Sequence, residues 1–451
     1  MCKQLSFVGL VLLLYVQLGS CYILSCYFDN RAQYRPGAGK FFPTDVDPCL
    51  CDHLIYASAD LKGNKIVTSE WNDVTLYRDF NALKKRNSNL KTLLSVGGFS
   101  TGMARFRAMV GLAVNRKTFI NSVIKFVRKH NFDGVDLAWE HPGLQRTHQQ
   151  DMKFLTDLAV EMMAAFEAEG WRTRRNRLIL TCVVTPGKRV TGFWTTRLAR
   201  TLDYFHVKTH DFLGSGEEQT RENSPLYSGF ADQGEQIYMN VNYAMNYWLN
   251  QGAPASKLLV GFPTYGRTFM LASSSNTGVG APTTGPGPAG PYTRQSGFLA
   301  YYEICTFLQQ GGTAAWDTPQ NVPYAYNGWK VWVGYDNVKS FNIKVQWLKQ
   351  NNFGGAVVWT IDLDDFSGTF CGQGQYPLIH TLKSRLGTGQ SEYQNPSPPV
   401  FHYFCVGKAN GLYPDPANKN QYYACNKGQA YIQHCATGLV FNPSCSCCKW
   451  A

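Results

Sequence analysis

The stretch NFDGVDLAWEHPG, residues 131–143, is the part of the sequence from which the fold can be inferred. Apolar residues occupy every second position from Val135, as in a buried β-strand whose successive side chains point to opposite faces. Asp136, Ala138 and Glu140 share the other face. Two carboxyl groups in a segment too apolar to be exposed are costly unless they are paired. The stretch therefore indicates either a chemical site or a salt-bridged pair in the core.

The first 21 residues have the composition of a secretory signal peptide. Lys3 precedes an apolar run from Phe7 to Val16, and small residues come before a cleavage point ahead of Tyr22. The run is too short for a membrane span, and no later segment has the required length. We therefore expect a secreted, extracellular protein without a membrane span.

The cysteine content fits an oxidising compartment. The chain has 14 cysteines, and only Cys2 and Cys21 fall in the predicted signal peptide. Disulfide bonding is the expected state of the others in a secreted protein. Only Cys445 and Cys448 have the C-x-x-C spacing of zinc sites, so metal binding is the weaker alternative. We predict no metal and no cofactor.

Charge and aromatic content bear on possible partners. The formal net charge of the chain is +12. The basic residues are dispersed along the sequence, except for a cluster at Arg172, Arg174, Arg175 and Arg177. We interpret this cluster as a solvated loop face, with a site for an anionic partner as the alternative. Aromatic residues make up 14% of the chain, and aromatic rings can stack on sugars. We predict no nucleic-acid partner.

Short β-rich runs alternate with helical patterns, which favours a parallel sheet with crossover helices. One such helical pattern is Thr118–His130, with apolar residues at helical spacing. Eight strands are consistent with an α/β fold, the (β/α)₈ TIM barrel, whose chemistry lies at the C-terminal ends of the strands. The predicted strands are Tyr22–Phe28, His53–Ala59, Lys91–Gly97, Phe132–Glu140, Leu178–Thr185, Tyr204–Phe212, Leu258–Tyr265 and Gly355–Ile361.

Three further segments complete the predicted domain organisation. The interval of about 267–350 is too long for one crossover helix, so we expect a small inserted α+β subdomain within a barrel domain of residues 22–387. Residues 388–400 are polar and proline-containing, as in a linker. Residues 401–451 hold six cysteines, and so short a segment needs such covalent links to be stable.

Several motifs support a resemblance to a known family. FDGVDLAWEHPG resembles the D-x-x-D-x-D-x-E strand of family-18 glycoside hydrolases, the chitinases. Similarity to vertebrate chitinases and chitinase-like proteins extends over the mature chain, including KTLLSVGGFSTG, VGFPTYGRTF and VVWTIDLDDF. Residues 401–451 resemble a type-2, peritrophin-like chitin-binding module. The resemblance implies a TIM barrel with a small insertion, joined to a disulfide-rich chitin-binding module.

The resemblance also implies a substrate-assisted mechanism. Glu140 would donate a proton to the glycosidic oxygen while the N-acetyl group of the sugar attacks the anomeric carbon. The aspartate that orients this N-acetyl group is replaced by Ala138. On the sixth strand, the family pattern Met-x-Tyr-Asp is replaced by Lys208, Thr209, His210 and Asp211. Lys208 could lower the pKa of Glu140, or else extend to the rim or pair with Asp136.

The resemblance assigns the candidate site residues. The catalytic set is Glu140, Asp136, Asp211 and His210. Residues matched to sugar-binding positions, or adjoining them, are Tyr27, Glu70, Trp71, Gly97, Gly98, Phe99, Ser100, His141, Lys208, Thr209, Tyr265, Arg267 and Trp359. Family aromatic residues are replaced by Arg31, Phe99, His141 and Gly216, so weaker stacking of a long chitin chain is expected.

Disulfide pairs also follow from the resemblance. It suggests that Cys26 pairs with Cys51 and Cys305 with Cys371, which leaves Cys49 and Cys182 either free or joined to each other. The module cysteines are Cys405, Cys425, Cys435, Cys445, Cys447 and Cys448, and their connectivity stays open. The module's candidate stacking aromatics are Tyr413, Tyr422, Tyr423, Tyr431 and Trp450, some of which must pack on the disulfides.

These observations predict a secreted chitinase-like lectin that binds chitin or chitooligosaccharides and hydrolyses them very poorly. Loss of one preorganised group costs a factor of about 10²–10³ in rate. The first alternative is a weakly active retaining endo-chitinase that uses Glu140. The second is a signalling or structural protein that binds a receptor or other GlcNAc-containing matrix glycans.

Overall fold

The computed structural model describes residues 22–97, 102–138, 148–185, 192–212 and 218–387 and, nearer the C-terminus, 405, 408–415, 419–426, 429–435, 439–443 and 445–450. The predicted signal peptide and the predicted linker lie outside these ranges. The chain divides into two compact units, Met1–Gly389 and Gln390–Ala451. In the part of the chain that the structure describes, no helix is long and apolar enough to cross a membrane.

The first unit contains a closed barrel of eight parallel strands, which confirms the predicted fold class. Each strand pairs in parallel with the next around the ring, and β1 closes it by pairing with both β2 and β15. A short antiparallel strand, β3 (Lys65–Val67), extends β2. The barrel strands are β1 (Ile23–Asp29), β2 (His53–Lys62), β4 (Lys91–Gly97), β5 (Gly134–Ala138), β6 (Ile179–Val184), β7 (Tyr204–Val207), β8 (Leu258–Pro263) and β15 (Gly355–Trp359).

Helices surround this barrel. The described α-helices are α1 (Asp73–Ala82), α2 (Met103–Val110), α3 (Ala113–Lys129), α4 (His148–Thr173), α5 (Gly192–Thr201), α6 (Val241–Asn250), α7 (Tyr301–Gln309), α8 (Val338–Gln350) and α9 (Pro377–Leu386). Short 3₁₀ helices are Asn30–Tyr34, Gly37–Gly39, Pro43–Asp45, Leu83–Lys85, Gly234–Tyr238, Ala255–Lys257 and Ile361–Leu363. Helix α3 begins five residues before the predicted start, and it buries Phe119, Val123 and Val127 at helical spacing.

A second, antiparallel sheet lies between β8 and β15 in the chain. Its strands are β9 (Tyr265–Leu271), β10 (Thr283–Pro286), β11 (Phe298–Ala300), β12 (Thr313–Asp317), β13 (Val322–Tyr326) and β14 (Val331–Gly334). Helix α7 follows β11, so the segment is an α+β insertion. The last part of the predicted interval is helix α8, which leads back into barrel strand β15.

The structure departs most from the predicted strands at two of them, while β6 and β15 end only one or two residues early. The prediction of Tyr204–Phe212 was wrong at its end, because β7 stops at Val207. Beyond it the chain turns, with Asp211 at φ +54° and the Thr209 hydroxyl donating to the Gly261 carbonyl oxygen at 2.7 Å. The predicted strand Leu258–Tyr265 divides at Thr264 into β8 and β9.

The second unit contains two small sheets. Strands β16 (Gly411–Pro414), β17 (Gln421–Asn426) and β18 (Gln429–His434) form an antiparallel sheet, and β19 (Leu439–Asn442) pairs with β20 (Cys447–Trp450). Its disulfides are Cys405–Cys425, Cys435–Cys448 and Cys445–Cys447. Cys405, Cys425 and Tyr423 form its buried cluster, with Tyr413 packed against them.

Candidate sugar-binding site

Asp136 lies inside the barrel, where four neighbouring side chains hydrogen-bond its carboxylate. The Tyr27 and Ser95 hydroxyls both donate to Oδ2 at 2.8 Å. The Thr181 hydroxyl donates to Oδ1 at 2.7 Å, and the His206 Nδ1 atom lies 3.1 Å from the same oxygen. Strands β1, β4, β6 and β7 each supply one of these groups, so the closed barrel itself builds the network.

These neighbours keep Asp136 ionised. Burial alone would raise its pKa, but hydrogen bonds from His206, Thr181 and Tyr27 and the charge of His206 outweigh burial, so that the pKa is lowered. The Tyr27 hydroxyl donates its proton to Asp136, so its oxygen can accept one. A proton on His206 Nδ1 is therefore assigned, which points to the Tyr27 oxygen at 2.9 Å and to the Asp136 carboxylate at 3.1 Å. The sequence interpretation missed His206, although alternation along its strand would have placed it beside Lys208 and His210.

Ala138 is the last described residue of β5, and its methyl group belongs to the cluster inside the barrel. Its neighbours there include Tyr27, Val183 and Val357, and only 7% of Ala138 is exposed. The adjacent β4 residue is Gly97 at φ +114°, where a Cβ atom would lie 2.5 Å from the Ala138 carbonyl oxygen. Only glycine fits there. A methyl group can neither accept a hydrogen bond nor carry charge.

Asp211 is the centre of a second polar cluster, beyond the end of β7. The Tyr265 hydroxyl donates to Oδ2 at 2.6 Å, and Arg267 Nε donates to Oδ1 at 2.7 Å. Lys208 Nζ lies 3.7 Å from Oδ2. Burial alone would raise the pKa of Asp211, but His210, Arg267 and Lys208 hold it well below its ordinary value. Asp211 is therefore an anion held by cations.

Lys208 and His210 take positions that the sequence left open. Lys208 is in contact with Asp211, whereas the described partners of Asp136 are those named above. His210 is buried, and its Nδ1 lies 2.9 Å from the Tyr265 hydroxyl oxygen. Because that hydroxyl donates to Asp211, the imidazole Nδ1 acts as the donor to Tyr265.

The two clusters border a cavity at the C-terminal ends of the barrel strands. The cavity has a volume of about 220 Å³, and Trp359 forms one side with its ring centroid 4.8 Å from that of Tyr27. A second cavity of about 420 Å³ shares Asp211, Arg267 and Trp359 with the first. The predicted residues that line one or both are Tyr27, Lys208, His210, Asp211, Tyr265, Arg267 and Trp359.

Other predicted residues lie elsewhere. Thr209 is fully buried, and its hydroxyl is bonded to Gly261, so its side chain does not line the cavity. Glu70 accepts a hydrogen bond from Tyr34 at 2.8 Å, and Trp71 is 86% exposed; neither belongs to the described lining of the two cavities. The predicted residues outside the described ranges are Gly98, Phe99, Ser100, Glu140 and His141, together with the replaced position Gly216.

The disulfide bonds of the barrel unit are the two that the family resemblance suggested. Cys26 is bonded to Cys51 and Cys305 to Cys371. Cys49 and Cys182 are both free, the first exposed and the second buried. Burial raises the pKa of the Cys182 thiol well above its ordinary value.

The module's aromatic residues separate into two groups. Tyr423 is buried against the Cys405–Cys425 disulfide, so its ring supports the core of the module. Tyr422 is partly exposed and stacks on Phe441, with ring centroids 4.5 Å apart. Tyr413 is partly exposed and packs against the core. The side chains of Tyr431 and Trp450 lie outside the described part.

A closed β/α barrel with an α+β insertion and a polar cavity at the C-terminal ends of its strands has the layout of a barrel enzyme or its relative. The sequence model of glycosyl hydrolases family 18 matches residues 23–364, and that of the chitin binding Peritrophin-A domain matches residues 405–451. The chain belongs to glycosyl hydrolase family 18 and carries a chitin-binding Peritrophin-A domain.

Individual relatives include both chitinase and chitinase-like proteins. The chain is 43% identical over 470 residues to chitotriosidase-1 of Mus musculus, with 100% of both chains covered. It is 46% identical over 384 residues to chitinase-3-like protein 2 of Homo sapiens, covering 84% of this chain and 96% of the relative. Among solved structures, human YKL-39, described as a pseudo-chitinase with retained chitooligosaccharide binding properties, superposes with a TM-score of 0.77 at 46% identity, covering 81% of this chain and 100% of that one.

Proposed function

We propose that this protein is a secreted chitin-binding lectin whose barrel retains a chitooligosaccharide site but has lost nearly all hydrolytic activity. The observation that carries the proposal is the methyl group of Ala138. It lies among Tyr27, Val183 and Val357, where the family pattern places a carboxylate. In the family mechanism that carboxylate orients the N-acetyl group and stabilises its developing positive charge. Without it, a rate loss of about 10²–10³ is expected.

The charge beside the cavity acts in the same direction. Lys208 and Arg267 both lie against the single carboxylate of Asp211. Two cations therefore accompany one carboxylate next to the position where the reacting sugar would become positive. An unfavourable charge there raises the barrier.

The surfaces that would hold a sugar remain. Trp359 and Tyr27 provide aromatic faces, and Asp211, Arg267 and His210 provide fixed polar groups in the same cavity. Such a mixture of aromatic walls and a few oriented polar groups is typical of small-ligand sites. Human YKL-39, described as a pseudo-chitinase with retained chitooligosaccharide binding properties, offers a precedent at 46% identity.

Secretion is supported by two observations. The first 21 residues have the pattern of a signal peptide. Five disulfides are formed among the described residues, a number expected in an oxidising compartment.

The second candidate function is slow, retaining chitin hydrolysis through Glu140. It is favoured by the intact hydrogen-bond network of Asp136 and by the relationship to chitotriosidase-1. Under this alternative, Asp136, Asp211 and His210 would take over part of the positioning that Ala138 cannot supply.

Titration of the mature protein with tetra-N-acetylchitotetraose tests the lectin proposal at the barrel. We expect binding that Trp359→Ala weakens about 5- to 150-fold, since one stacked ring contributes about 1–3 kcal/mol by analogy with base stacking. Trp329→Ala is the matched control, because Trp329 is 73% exposed and lines neither cavity. Equal affinities of the two variants would place the oligosaccharide elsewhere and contradict the proposal.

A further inference from the structure

A basic groove lies between helices α3 and α4, with a volume of about 620 Å³. We call it the α3–α4 groove. It lies where α3 ends at Lys129, before β5 begins, and where α4 ends at Thr173, before β6 begins. Because the sugar cavity is at the C-terminal ends of the strands, this groove is at the opposite end of the barrel. Its charged lining residues are Lys125, Arg128, Lys129, Arg172, Arg175 and Glu169.

Most of this positive charge is not neutralised. The only carboxylate in the lining, Glu169, is held by Arg128 at 2.6 Å. Helix α3 contains no acidic residue at all. In the described part of the chain, Lys125, Lys129, Arg172 and Arg175 form no ion pair, so four cations are available for an anionic ligand.

Arg128 is held in place by hydrogen bonds, and three lysines form a row along α3. Arg128 donates to both oxygens of Glu169 and to the Asn176 carbonyl oxygen at 2.8 Å. Lys117, Asn121, Lys125 and Lys129 recur every four residues along exposed or partly exposed α3 surface, a row about 18 Å long. Charges spread along a line fit a linear polyanion better than a single small anion.

Stabilisation of helix ends explains only part of this pattern. Basic side chains in the last turn interact favourably with the negative end of the helix dipole, which accounts for Arg128, Lys129 and Arg172. The effect falls off beyond that turn. It therefore does not account for Lys117 and Lys125.

The end of α4 carries two further signs of a binding surface. Arg174 has φ +56°, and the Arg175 N–H bonds the Gly170 carbonyl oxygen, so arginine occupies the left-handed helix-end position where glycine is usual. Trp171, in the same turn, is 87% exposed. Tryptophan and arginine are the residue types most enriched at the energetic centres of interfaces.

We propose that the α3–α4 groove binds a sulfated polysaccharide. Lys125, Lys129, Arg172, Arg174 and Arg175 contact its sulfate groups, and Trp171 packs on its sugar rings. The choice of sulfate over the phosphate of nucleic acids rests on the proposed secretion, since disulfide-bonded proteins meet extracellular polyanions. The site is independent of the sugar cavity.

Binding of the mature protein to heparin at 0.15 M salt tests the proposal, because screening at that salt suppresses weak long-range attraction. The double variant Lys125→Ala, Lys129→Ala is expected to bind at least tenfold more weakly, and Trp171→Ala several-fold more weakly. The matched control is Lys62→Ala, Lys65→Ala, which removes the same charge from exposed positions on β2 and β3. It should change affinity less than twofold.

Three outcomes would overturn the inference. Wild-type protein that does not bind heparin at 0.15 M salt would exclude the site. Equal weakening by the groove and control variants would show attraction by net charge only. Double-stranded DNA bound as tightly as heparin, with the same dependence on Lys125 and Lys129, would exclude selectivity for a sulfated sugar. The affinity for tetra-N-acetylchitotetraose and the urea unfolding midpoint should be unchanged in every variant, which separates this result from failure of the lectin proposal and from misfolding of the barrel.

Discussion

The ammonium nitrogen of Lys208 lies 3.7 Å from Oδ2 of Asp211. Arg267 binds the other oxygen of the same carboxylate at 2.7 Å. Two cations thus share one anion at the wall of the cavity, and Ala138 ends β5, which is separated from β7 by β6. Relative to the family pattern, the chain lacks a carboxylate at position 138 and has an additional ammonium group at position 208. Both changes disfavour the development of positive charge on a bound sugar.

Restoring the family residues should restore hydrolysis. We predict that the triple variant Ala138→Asp, Lys208→Met, His210→Tyr hydrolyses a fluorogenic chitobioside at least about 10²-fold faster than wild type, since one preorganised group contributes that much. The same triple change combined with Glu140→Gln is the control and should give no gain. An unchanged rate in a folded triple variant would show that the defect lies elsewhere in the chain.

Loss of the Asp211 carboxylate should destabilise the barrel. Asp211→Asn leaves Arg267 and Lys208 without their anion. Breaking a buried ion pair costs about 3–5 kcal/mol of unfolding free energy. Because this pair is partly exposed, we expect a loss of about 3 kcal/mol. Urea unfolding at pH 7 measures the difference. Because the pKa of Asp211 is lower in the folded protein than in the unfolded chain, its carboxylate stabilises the fold above a pH of about 4. This stabilisation is lost as the pH falls further. A difference between wild type and variant that grows below pH 4 would contradict this assignment.

His53 should make the barrel less stable in mild acid. Burial, followed by the positive charge of His206, lowers its pKa to about 4. The unfolded chain takes up the proton near pH 6.5, so stability is lost between pH 6.5 and about 4, by about 2.5 kcal/mol at pH 4.5. His53→Gln should reduce this pH dependence. Equal slopes of unfolding free energy against pH in the variant and wild type would show that His53 is not the titrating group.

The two free cysteines should react differently. Cys49 is exposed, whereas Cys182 is buried with a raised thiol pKa. Thiolates are the reactive form. Alkylation of native mature protein, followed by peptide mapping, should label Cys49 rapidly and Cys182 only after denaturation. A peptide containing a Cys49–Cys182 disulfide would contradict the structure.

Short β-rich runs between helical patterns predicted the eight barrel strands, because parallel strands buried on both faces consist largely of apolar residues. The predicted strand Tyr204–Phe212 was too long at Lys208–Asp211, where four polar residues follow Val207 and the backbone turns. The causes are the left-handed Asp211 and the bond from Thr209 to Gly261, contacts between distant segments that no local pattern contains. His206 was missed for a similar reason, because its importance depends on Tyr27 and Asp136 from two other strands.

The site residues were predicted through the family pattern rather than through composition. Tyr27, Tyr265, Arg267 and Trp359 do come together around the cavity. Thr209 does not, because its side chain points away from the side shared by Lys208 and His210, and its hydroxyl donates to the Gly261 carbonyl oxygen. The placement of Lys208 beside Asp211 required the structure, since two arrangements of this flexible side chain were equally compatible with the sequence.

The central claim is that the barrel binds chitooligosaccharide without appreciable turnover. Its most direct test measures the steady-state rate on a fluorogenic chitobioside for wild-type mature protein and Glu140→Gln, and the affinity of wild type and Trp359→Ala for tetra-N-acetylchitotetraose. The account predicts oligosaccharide binding that Trp359→Ala weakens and a wild-type rate no more than a few-fold above that of Glu140→Gln. A wild-type rate comparable to that of chitotriosidase-1 assayed in parallel, abolished by Glu140→Gln, would contradict it.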